Sequence, residues 1–150
     1  MFEGFAKQPT DYYFRPYHLY NIKHLIPWKE MCLKTGKANI EESLKIYERF
    51  SLLFKHSCHF SFNFLTSLTH DDSSNLNAID EKMRTILEKF IANNVAENTV
   101  LVIMGDHGNR IGDIQHSFVG RIEERMPLFS IYLPQKFHQL FPDNVKNLEF

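Results

Sequence analysis

Residues 99–104 (TVLVIM) constrain the fold more than any other part of the sequence. A continuous run of β-branched and apolar residues is typical of a strand that is buried on both faces of a parallel sheet. The run stops at residues 105–108 (GDHG), which place a carboxylate and an imidazole directly after the strand. Glycine on both sides of this pair permits turns with positive φ and close approach of the backbone. The sequence therefore predicts a core strand with chemically capable side chains at its carboxyl end.

A second strand and a helix are predicted upstream of this run. Residues 60–68 begin with alternating Phe and polar residues and continue to Leu68, a pattern that indicates a strand. A helix is expected to begin at Asn77 and to end at residues 93–94. Its apolar residues recur at helical spacing and are Ile79, Met83, Ile86, Leu87 and Phe90. A strand, a helix and a strand of these lengths form a βαβ unit, which implies a parallel sheet.

The rest of the chain adds elements to this unit. Asn39 and Glu42 form a capping-box pattern at the start of a helix that runs to about Lys55. A polar excursion at 109–125 leads to a further strand at 128–133 and a short helix at 135–140. Residues 1–38 hold three prolines among aromatic residues without a sustained period, which indicates an irregular segment packed on the core. The sequence thus predicts an α/β domain at 39–150. A sheet of three strands with an apolar middle strand would leave one face or edge uncovered.

Composition excludes several classes of protein. Lys and Arg number 17 against 18 Asp and Glu, so no basic surface for nucleic acid is expected. No stretch approaches the roughly 18 apolar residues of a membrane span, and no signal peptide is visible at the start. The spacing of Cys32 and Cys58 does not decide whether they pair. Because they form no C-x-x-C motif, a redox thiol protein is disfavoured.

Two polar clusters follow the predicted strands. His70, Asp71 and Asp72 come after the first strand, and Asp106 and His107 come after the second. Parallel strands share one direction, so both loops leave the edge of the sheet where α/β proteins bind ligands, and the clusters are expected to converge. A carboxylate and an imidazole suit a divalent ion such as Zn²⁺, Mn²⁺ or Mg²⁺. In the alternative interpretation, Asp106 caps a turn and His107 hydrogen-bonds nearby backbone.

Several blocks of the sequence resemble the alkaline phosphatase and sulfatase superfamily. Residues 99–108 are similar to its core strand and metal-binding Asp-His pair, and residues 125–127 (RMP) are similar to its R-x-P element before the next strand. The match is closest to an animal branch of that superfamily, a domain of unknown function. The blocks that carry this closer match are 9–16 (PTDYYFRP), 69–72 (THDD), 106–110 (DHGNR), 120–127 (GRIEERMP) and 147–148 (NL). The resemblance covers nearly the whole chain.

This resemblance implies an alkaline-phosphatase-like α/β/α sandwich and a metal-dependent hydrolase of small phosphate or sulfate esters. Asp106 and His107 match the metal-binding pair, which would hold Zn²⁺, Mn²⁺, Mg²⁺ or Ca²⁺. His70 matches a histidine that lies near the leaving-group oxygen in sulfatases and would assist its protonation. His116 lies roughly where sulfatases place a cationic contact to the substrate. The alternative for His70 is a surface-loop residue, and for His116 a residue outside the site.

Two further sets of charged residues have open roles. Asp71 and Asp72 are better suited to the N-terminus of a helix than to paired acid–base chemistry, since adjacent side chains need not face each other. Arg110 or Arg121 could face an anion, because a guanidinium recognises oxyanions well.

The resemblance also indicates what the chain lacks. The superfamily needs an upstream carboxylate and a Ser, Thr or formylglycine-forming Cys nucleophile, so we expect a fragment, a partial gene model or a degenerate copy that binds metal weakly. The competing hypothesis is a catalytically dead module that binds a partner through its Phe- and Tyr-rich N-terminal segment. An extracellular or luminal location is implied by the resemblance alone. The sequence leaves the oligomeric state open.

Overall fold

The computed structural model describes residues 4–25, 38–66, 68–70 and 72–148. The chain divides into two compact units, Met1–Ser43 and Leu44–Phe150. Cys32 and Asp71 lie outside the described residues, whereas Cys58 is an exposed free cysteine. The candidate site residues at positions 70, 106, 107 and 116 all belong to the second unit.

The first unit contains helical structure within the segment that carries the prolines. Helix α1 spans Arg15–Tyr20, with a proline in its first turn, where the missing N–H costs no helical hydrogen bond. It continues as one π-helical stretch, Asn21–Leu25. Upstream of α1, the rings of Phe5 and Tyr13 meet edge to face with centroids 6.1 Å apart. This unit therefore has local order of its own, built from aromatic contacts and a short helix.

Helix α2 spans Asn39–Leu53, which confirms the predicted helix. The capping box is not formed as expected, because Asn39 lies within the helix and its buried Oδ1 has no hydrogen-bond partner. Ala38 supplies the carbonyl that accepts from the N–H groups of Glu41 and Glu42. The helix starts one residue earlier than the capping pattern implied.

Helix α3 spans Asn77–Ala92 and also lies where the sequence predicts it. Of its predicted apolar stripe, Ile79, Ile86 and Phe90 are buried. The helix ends in a left-handed turn, since Asn94 has φ of 63° and the N–H of Val95 donates to the Phe90 carbonyl at 2.9 Å. Asn tolerates this conformation better than most residues, which explains its place at the end of the helix.

Within the second unit, α2 and α3 are joined by an aromatic contact and an ion pair. The rings of Tyr47 and Phe90 meet edge to face with centroids 5.4 Å apart. Beside them, Nζ of Lys89 lies 2.6 Å from a carboxylate oxygen of Glu48. Phe90 has no exposed surface, so this contact forms part of the core of the unit.

The two strands in the described residues are antiparallel, which corrects the predicted mostly parallel sheet with flanking helices. Strand β1 spans Leu101–Met104 and β2 spans Phe129–Tyr132, with Leu101 opposite Tyr132. The structure is 52% helical, so the predicted α/β/α sandwich is wrong for this chain. Both strands lie where the sequence predicts them. An apolar run indicates a strand but does not fix the direction of its neighbour.

Neither strand contains a buried residue, although the sequence predicts that β1 is buried on both faces. Val102 is 50% exposed, Met104 58% and Phe129 63%. These three side chains share one face of the sheet, because Met104 pairs with Phe129 and successive residues of a strand alternate between faces. The predicted three-stranded sheet is not formed, but this apolar face of the two-stranded sheet is uncovered by the residues that the structure describes.

The described residues of the predicted strand at 60–68 form no strand. Phe60, Phe62 and Phe64 are 87%, 77% and 59% exposed, and the rings of Phe62 and Phe64 stack with centroids 6.2 Å apart. A strand is defined by hydrogen bonds to a neighbour, and β1 is paired with β2 rather than with this segment. The predicted βαβ unit is consequently wrong.

One of the remaining helices connects the two strands, and the other two come after the second strand. Helix α4 spans Phe118–Arg125 between β1 and β2, inside the predicted polar excursion. Helix α5 spans Gln135–Leu140, as predicted, and α6 spans Pro142–Lys146. Across the described parts of the chain, no helix is long and apolar enough to cross a membrane.

Replacing Phe90 by Ala is expected to destabilise the second unit by about 3–5 kcal/mol, because it removes a fully buried ring and leaves a cavity. Ile91→Ala is the matched control, since Ile91 is 65% exposed and its loss should change stability by about 0.5 kcal/mol or less. Urea unfolding followed by circular dichroism measures both. Equal losses for the two variants would show that α3 does not bury the face described above.

Candidate functional site

The candidate site begins where β1 ends. The N–H of Gly105 donates to the carbonyl of Leu128 at 2.9 Å, so the antiparallel ladder continues one residue beyond the strand. The chain then turns through Asp106 and His107, which are both exposed. The pairing of β1 with β2 therefore fixes the backbone immediately before the candidate metal ligands.

A second backbone contact fixes the residue after the pair. The N–H of Gly108 donates to the carbonyl of Glu124 at 2.9 Å, near the end of α4. A Cβ atom at position 108 would lie 1.9 Å from the carbonyl oxygen of Glu123, a distance at which something must shift. The predicted close approach at this glycine is confirmed. The predicted positive φ is not found, because neither Gly105 nor Gly108 has one.

Helix α4 is itself held by a third glycine contact. A Cβ atom at Gly120 would lie 1.8 Å from the carbonyl oxygen of Ile114, in the 3₁₀ turn Asp113–His116. The hydroxyl of Ser117 caps α4 by accepting a hydrogen bond from the N–H of Gly120 at 2.9 Å. The segment between the two strands is thus a folded connection whose backbone packs on itself.

Asp106 and His107 present their side chains side by side. Oδ2 of Asp106 lies 3.6 Å from Nε2 of His107, and the two side chains are 56% and 42% exposed. Oδ1 of Asp106 accepts from the N–H of His107 at 3.0 Å, and Nδ1 of His107 lies 2.7 Å from the carbonyl of Gly108. The carbonyl can accept but cannot donate, so Nδ1 is the donor in this contact.

These contacts are compatible both with a metal-binding pair and with a pair that only stabilises the loop. Oδ1 of Asp106 and Nδ1 of His107 make the local backbone hydrogen bonds that a purely structural role would require. Oδ2 of Asp106 and Nε2 of His107 are the remaining atoms, and both are of a type that binds divalent ions. A hydrogen bond from the other ring nitrogen to a carbonyl is also the usual way that a metal-binding histidine is oriented.

Arg110 contacts His107, and the sequence alone does not predict this contact. Its Nη2 lies 2.5 Å from Nε2 of His107. The signal available in the sequence is a basic residue three positions after the histidine, at the end of the Asp-His-Gly-Asn-Arg block. No periodic pattern applies inside a loop, so this spacing by itself does not predict a contact.

His70 lies in an exposed turn before the 3₁₀ helix Ser73–Leu76. The argument that brought it next to Asp106 depended on a parallel strand at 60–68, and the described residues of that segment form no strand. Asp72 caps the 3₁₀ helix, as expected for a helix N-terminus: its Oδ1 accepts from the N–H and the hydroxyl of Ser74 at 2.9 and 2.6 Å. These hydrogen bonds stabilise the carboxylate and lower the pKa of Asp72. The role of His70 at the site stays a prediction.

His116 is the last residue of the 3₁₀ turn Asp113–His116 and is exposed. Its role also stays a prediction. Within the described residues, no group of three or more His, Cys, Asp or Glu side chains is positioned to hold a metal ion. Asp106 and His107 therefore form a pair of potential ligands without a third such side chain beside them in the described part of the chain.

Comparison with known proteins places the chain in a family. A family model described as "Protein of unknown function (DUF229)" matches residues 2–150. The chain therefore belongs to the DUF229 family. No curated protein and no solved structure matches it. The assignment agrees with the predicted domain of unknown function, and the link to alkaline phosphatases and sulfatases is taken up as a proposal below.

Gly108→Ala is expected to destabilise the second unit by about 2–3 kcal/mol, because its Cβ would overlap the Glu123 carbonyl and neither backbone can move freely. Gly105→Ala is the control, since its Cβ would meet Pro127 at 3.1 Å, and it should cost about 1 kcal/mol or less. Urea unfolding midpoints measure the difference. If Gly108→Ala unfolds at the same urea concentration as the wild type, the loop is not closed on α4.

Proposed function

We propose that this chain carries the metal-binding pair of a hydrolase that acts on phosphate or sulfate esters. The single observation that supports this most is the arrangement of Asp106 and His107 at the end of β1. Oδ2 and Nε2 lie 3.6 Å apart on exposed side chains, and the hydrogen bond of Nδ1 to the Gly108 carbonyl leaves Nε2 as the ring nitrogen that would face a metal ion. The resemblance of residues 99–108 and 125–127 to the alkaline phosphatase and sulfatase superfamily supports the same function.

The residues present fit a divalent ion at two ligand positions. A carboxylate oxygen and an imidazole nitrogen are ligands that Zn²⁺ and Mn²⁺ accept. When bound, such an ion stabilises charge on a phosphoryl or sulfuryl oxygen and lowers the pKa of a bound nucleophile. Catalytic metal sites usually have three protein ligands, so two ligands imply weak binding unless other groups complete the site. We therefore assign slow turnover and low metal affinity to this chain.

Two histidines are proposed to act on the substrate. His70 would protonate the leaving-group oxygen, which is general acid catalysis by a group whose ordinary pKa lies near neutral pH. His116 would contact the transferred group as a cation. Both side chains are exposed, which a substrate contact requires. Both roles rest on the resemblance to the alkaline phosphatase and sulfatase superfamily.

Asp106→Asn tests the metal-ligand role. The amide is the same size but has no charge, so Mn²⁺ affinity is expected to fall by about tenfold or more. Mutation of a residue that only hydrogen-bonds a metal ligand already lowers metal affinity by about tenfold or more. Equilibrium dialysis with Mn²⁺ measures the affinity. Initial rates with p-nitrophenyl phosphate and p-nitrophenyl sulfate should fall in parallel, because the same ion serves both properties.

Asp143→Asn is the matched control for this experiment, because Asp143 is an exposed carboxylate in α6 outside the proposed site. It should bind Mn²⁺ and hydrolyse both esters as the wild type does. An Asp106→Asn protein with unchanged affinity and rate would show that Asp106 is not a metal ligand.

A second candidate function is self-association without catalysis, favoured by the uncovered face of the sheet. Val102, Met104 and Phe129 are at least half exposed on one face, and exposed apolar surface of this kind marks interaction sites. Two copies of the same face can pack on each other about a two-fold axis. Such an association would not depend on a metal ion.

Val102→Lys tests this candidate, because a charge in the middle of the apolar face would disfavour its burial in a dimer. Light scattering after size-exclusion chromatography, with and without EDTA, is expected to show a dimer for the wild type and a monomer for the variant. Ser130→Lys is the control, since Ser130 is exposed and pairs with Ile103 on the opposite face. A wild-type monomer under both conditions would exclude self-association through this face.

A further inference from the structure

The guanidinium of Arg110 occupies the position where the proposed metal ion would bind. Its Nη2 lies 2.5 Å from Nε2 of His107, the nitrogen that the proposed function assigns to the metal. A guanidinium donates hydrogen bonds and has no acceptor, so Nε2 must be the acceptor in this contact. The lone pair that would bind a metal is therefore engaged by Arg110 in the metal-free chain.

The loop directs Arg110 toward His107. Oδ1 of Asn109 accepts from the N–H of Ile111 at 2.9 Å, which forms a local turn around Arg110. On the other side, Gly108 is tied to the Glu124 carbonyl at 2.9 Å. Because the backbone is held both before and after Arg110, its side chain starts from a defined position close to the imidazole.

The charge of Arg110 is not neutralised by a carboxylate. Among the residues that the structure describes, Arg110 contacts the imidazole of His107 and forms no ion pair. Its side chain is exposed, so it can turn away from His107 without disturbing a buried contact. An unpaired guanidinium next to a metal ligand is well suited to an oxyanion, which it binds with two parallel hydrogen bonds.

We propose that Arg110 is the oxyanion-binding residue of this site and that it leaves His107 when the metal binds. The inference rests on the proposed function and deepens it. His107 would hold a divalent ion through Nε2, and Arg110 would then lose this acceptor and be repelled by the positive charge of the ion. The guanidinium would instead bind the oxygens of a phosphate or sulfate group, whose negative charge would offset that repulsion.

This arrangement makes metal binding and anion binding interdependent. Without an anion, Arg110 competes with the metal for His107 and weakens its binding. With an anion, the guanidinium has a new partner, and the metal binds more tightly. The coupling is expected at the low end of the usual range, about fivefold, since the site is exposed to water. Hydrogen phosphate should couple more strongly than sulfate at the same concentration, because three oxygens share its two negative charges whereas four share those of sulfate, and more charged acceptors bind a guanidinium more strongly.

The test measures free Mn²⁺ by electron paramagnetic resonance during titration of the full chain, at constant ionic strength. Titrations are made with chloride alone, with inorganic phosphate and with sulfate, and Mn²⁺–phosphate complexes are calibrated without protein. In chloride, Arg110→Ala should bind Mn²⁺ about fivefold more tightly than the wild type, because the competitor is gone. Phosphate should tighten Mn²⁺ binding about fivefold in the wild type and have little effect in Arg110→Ala. Arg49→Ala, at an exposed arginine of α2 outside the proposed site, is the control and should match the wild type.

A second readout needs no metal. In ¹⁵N spectra of the histidine side chains, Arg110→Ala should change the Nε2 shift of His107, because the hydrogen bond from the guanidinium is lost. The exposed position of Arg110 makes misfolding a minor concern, and circular dichroism checks it.

The outcomes separate this inference from the function on which it rests. If Asp106→Asn weakens Mn²⁺ binding but Arg110→Ala binds Mn²⁺ and phosphate as the wild type does, the role of Arg110 is wrong and the metal site stands. If the wild type binds no Mn²⁺, or Asp106→Asn binds it equally well, the metal site is wrong and the role of Arg110 falls with it. An unchanged Nε2 shift in Arg110→Ala would contradict the contact itself.

Discussion

Close packing of backbone on backbone around two glycines determines the structure near the site. Gly108 lies against the Glu123 carbonyl and Gly120 against the Ile114 carbonyl, at distances that leave no room for a side chain. These contacts fold the connection between β1 and β2 onto itself, so that α4 supports the turn after β1. The hydrogen bond from Gly105 to Leu128 joins this connection to the sheet. Because the backbone is fixed at both ends of the turn, the side chains of residues 106 and 107 lie side by side.

The sequence predicts elements well where a periodic pattern or an apolar run is strong. Helix α3 and strand β1 lie where their patterns predict them. The helical spacing matches the residues that α3 buries, among them Phe90, and the apolar run matches β1. The relative direction of the strands is not predicted by these patterns, because it depends on which segment pairs with β1. Phe60, Phe62 and Phe64 alternate with polar residues as in a strand, but the described residues of their segment form no strand. A local pattern predicts what a segment can do, whereas pairing depends on distant parts of the chain.

In the candidate site, too, the sequence predicts local features but not the contacts between side chains. The place of Asp106 and His107 after a strand follows from the sequence, because the apolar run ends there. The contact between His107 and Arg110 does not follow, since it is made by side chains in a loop held by Asn109 and Gly108. Helix α4 is also missed, because a glycine in its first turn weakens the helical pattern. That glycine is required by packing on Ile114, a contact visible only in the folded chain.

We expect a divalent ion, when bound, to lie against Asp106 and His107 at the end of β1. Side-chain resonances of the eight histidines, followed by NMR during addition of substoichiometric Mn²⁺, test it most directly, because a paramagnetic ion broadens the nuclei nearest to it. Binding at this pair should make the His107 imidazole signals disappear first, while those of His138, exposed in α5, persist. Persistence of the His107 signals while other histidines broaden would contradict it.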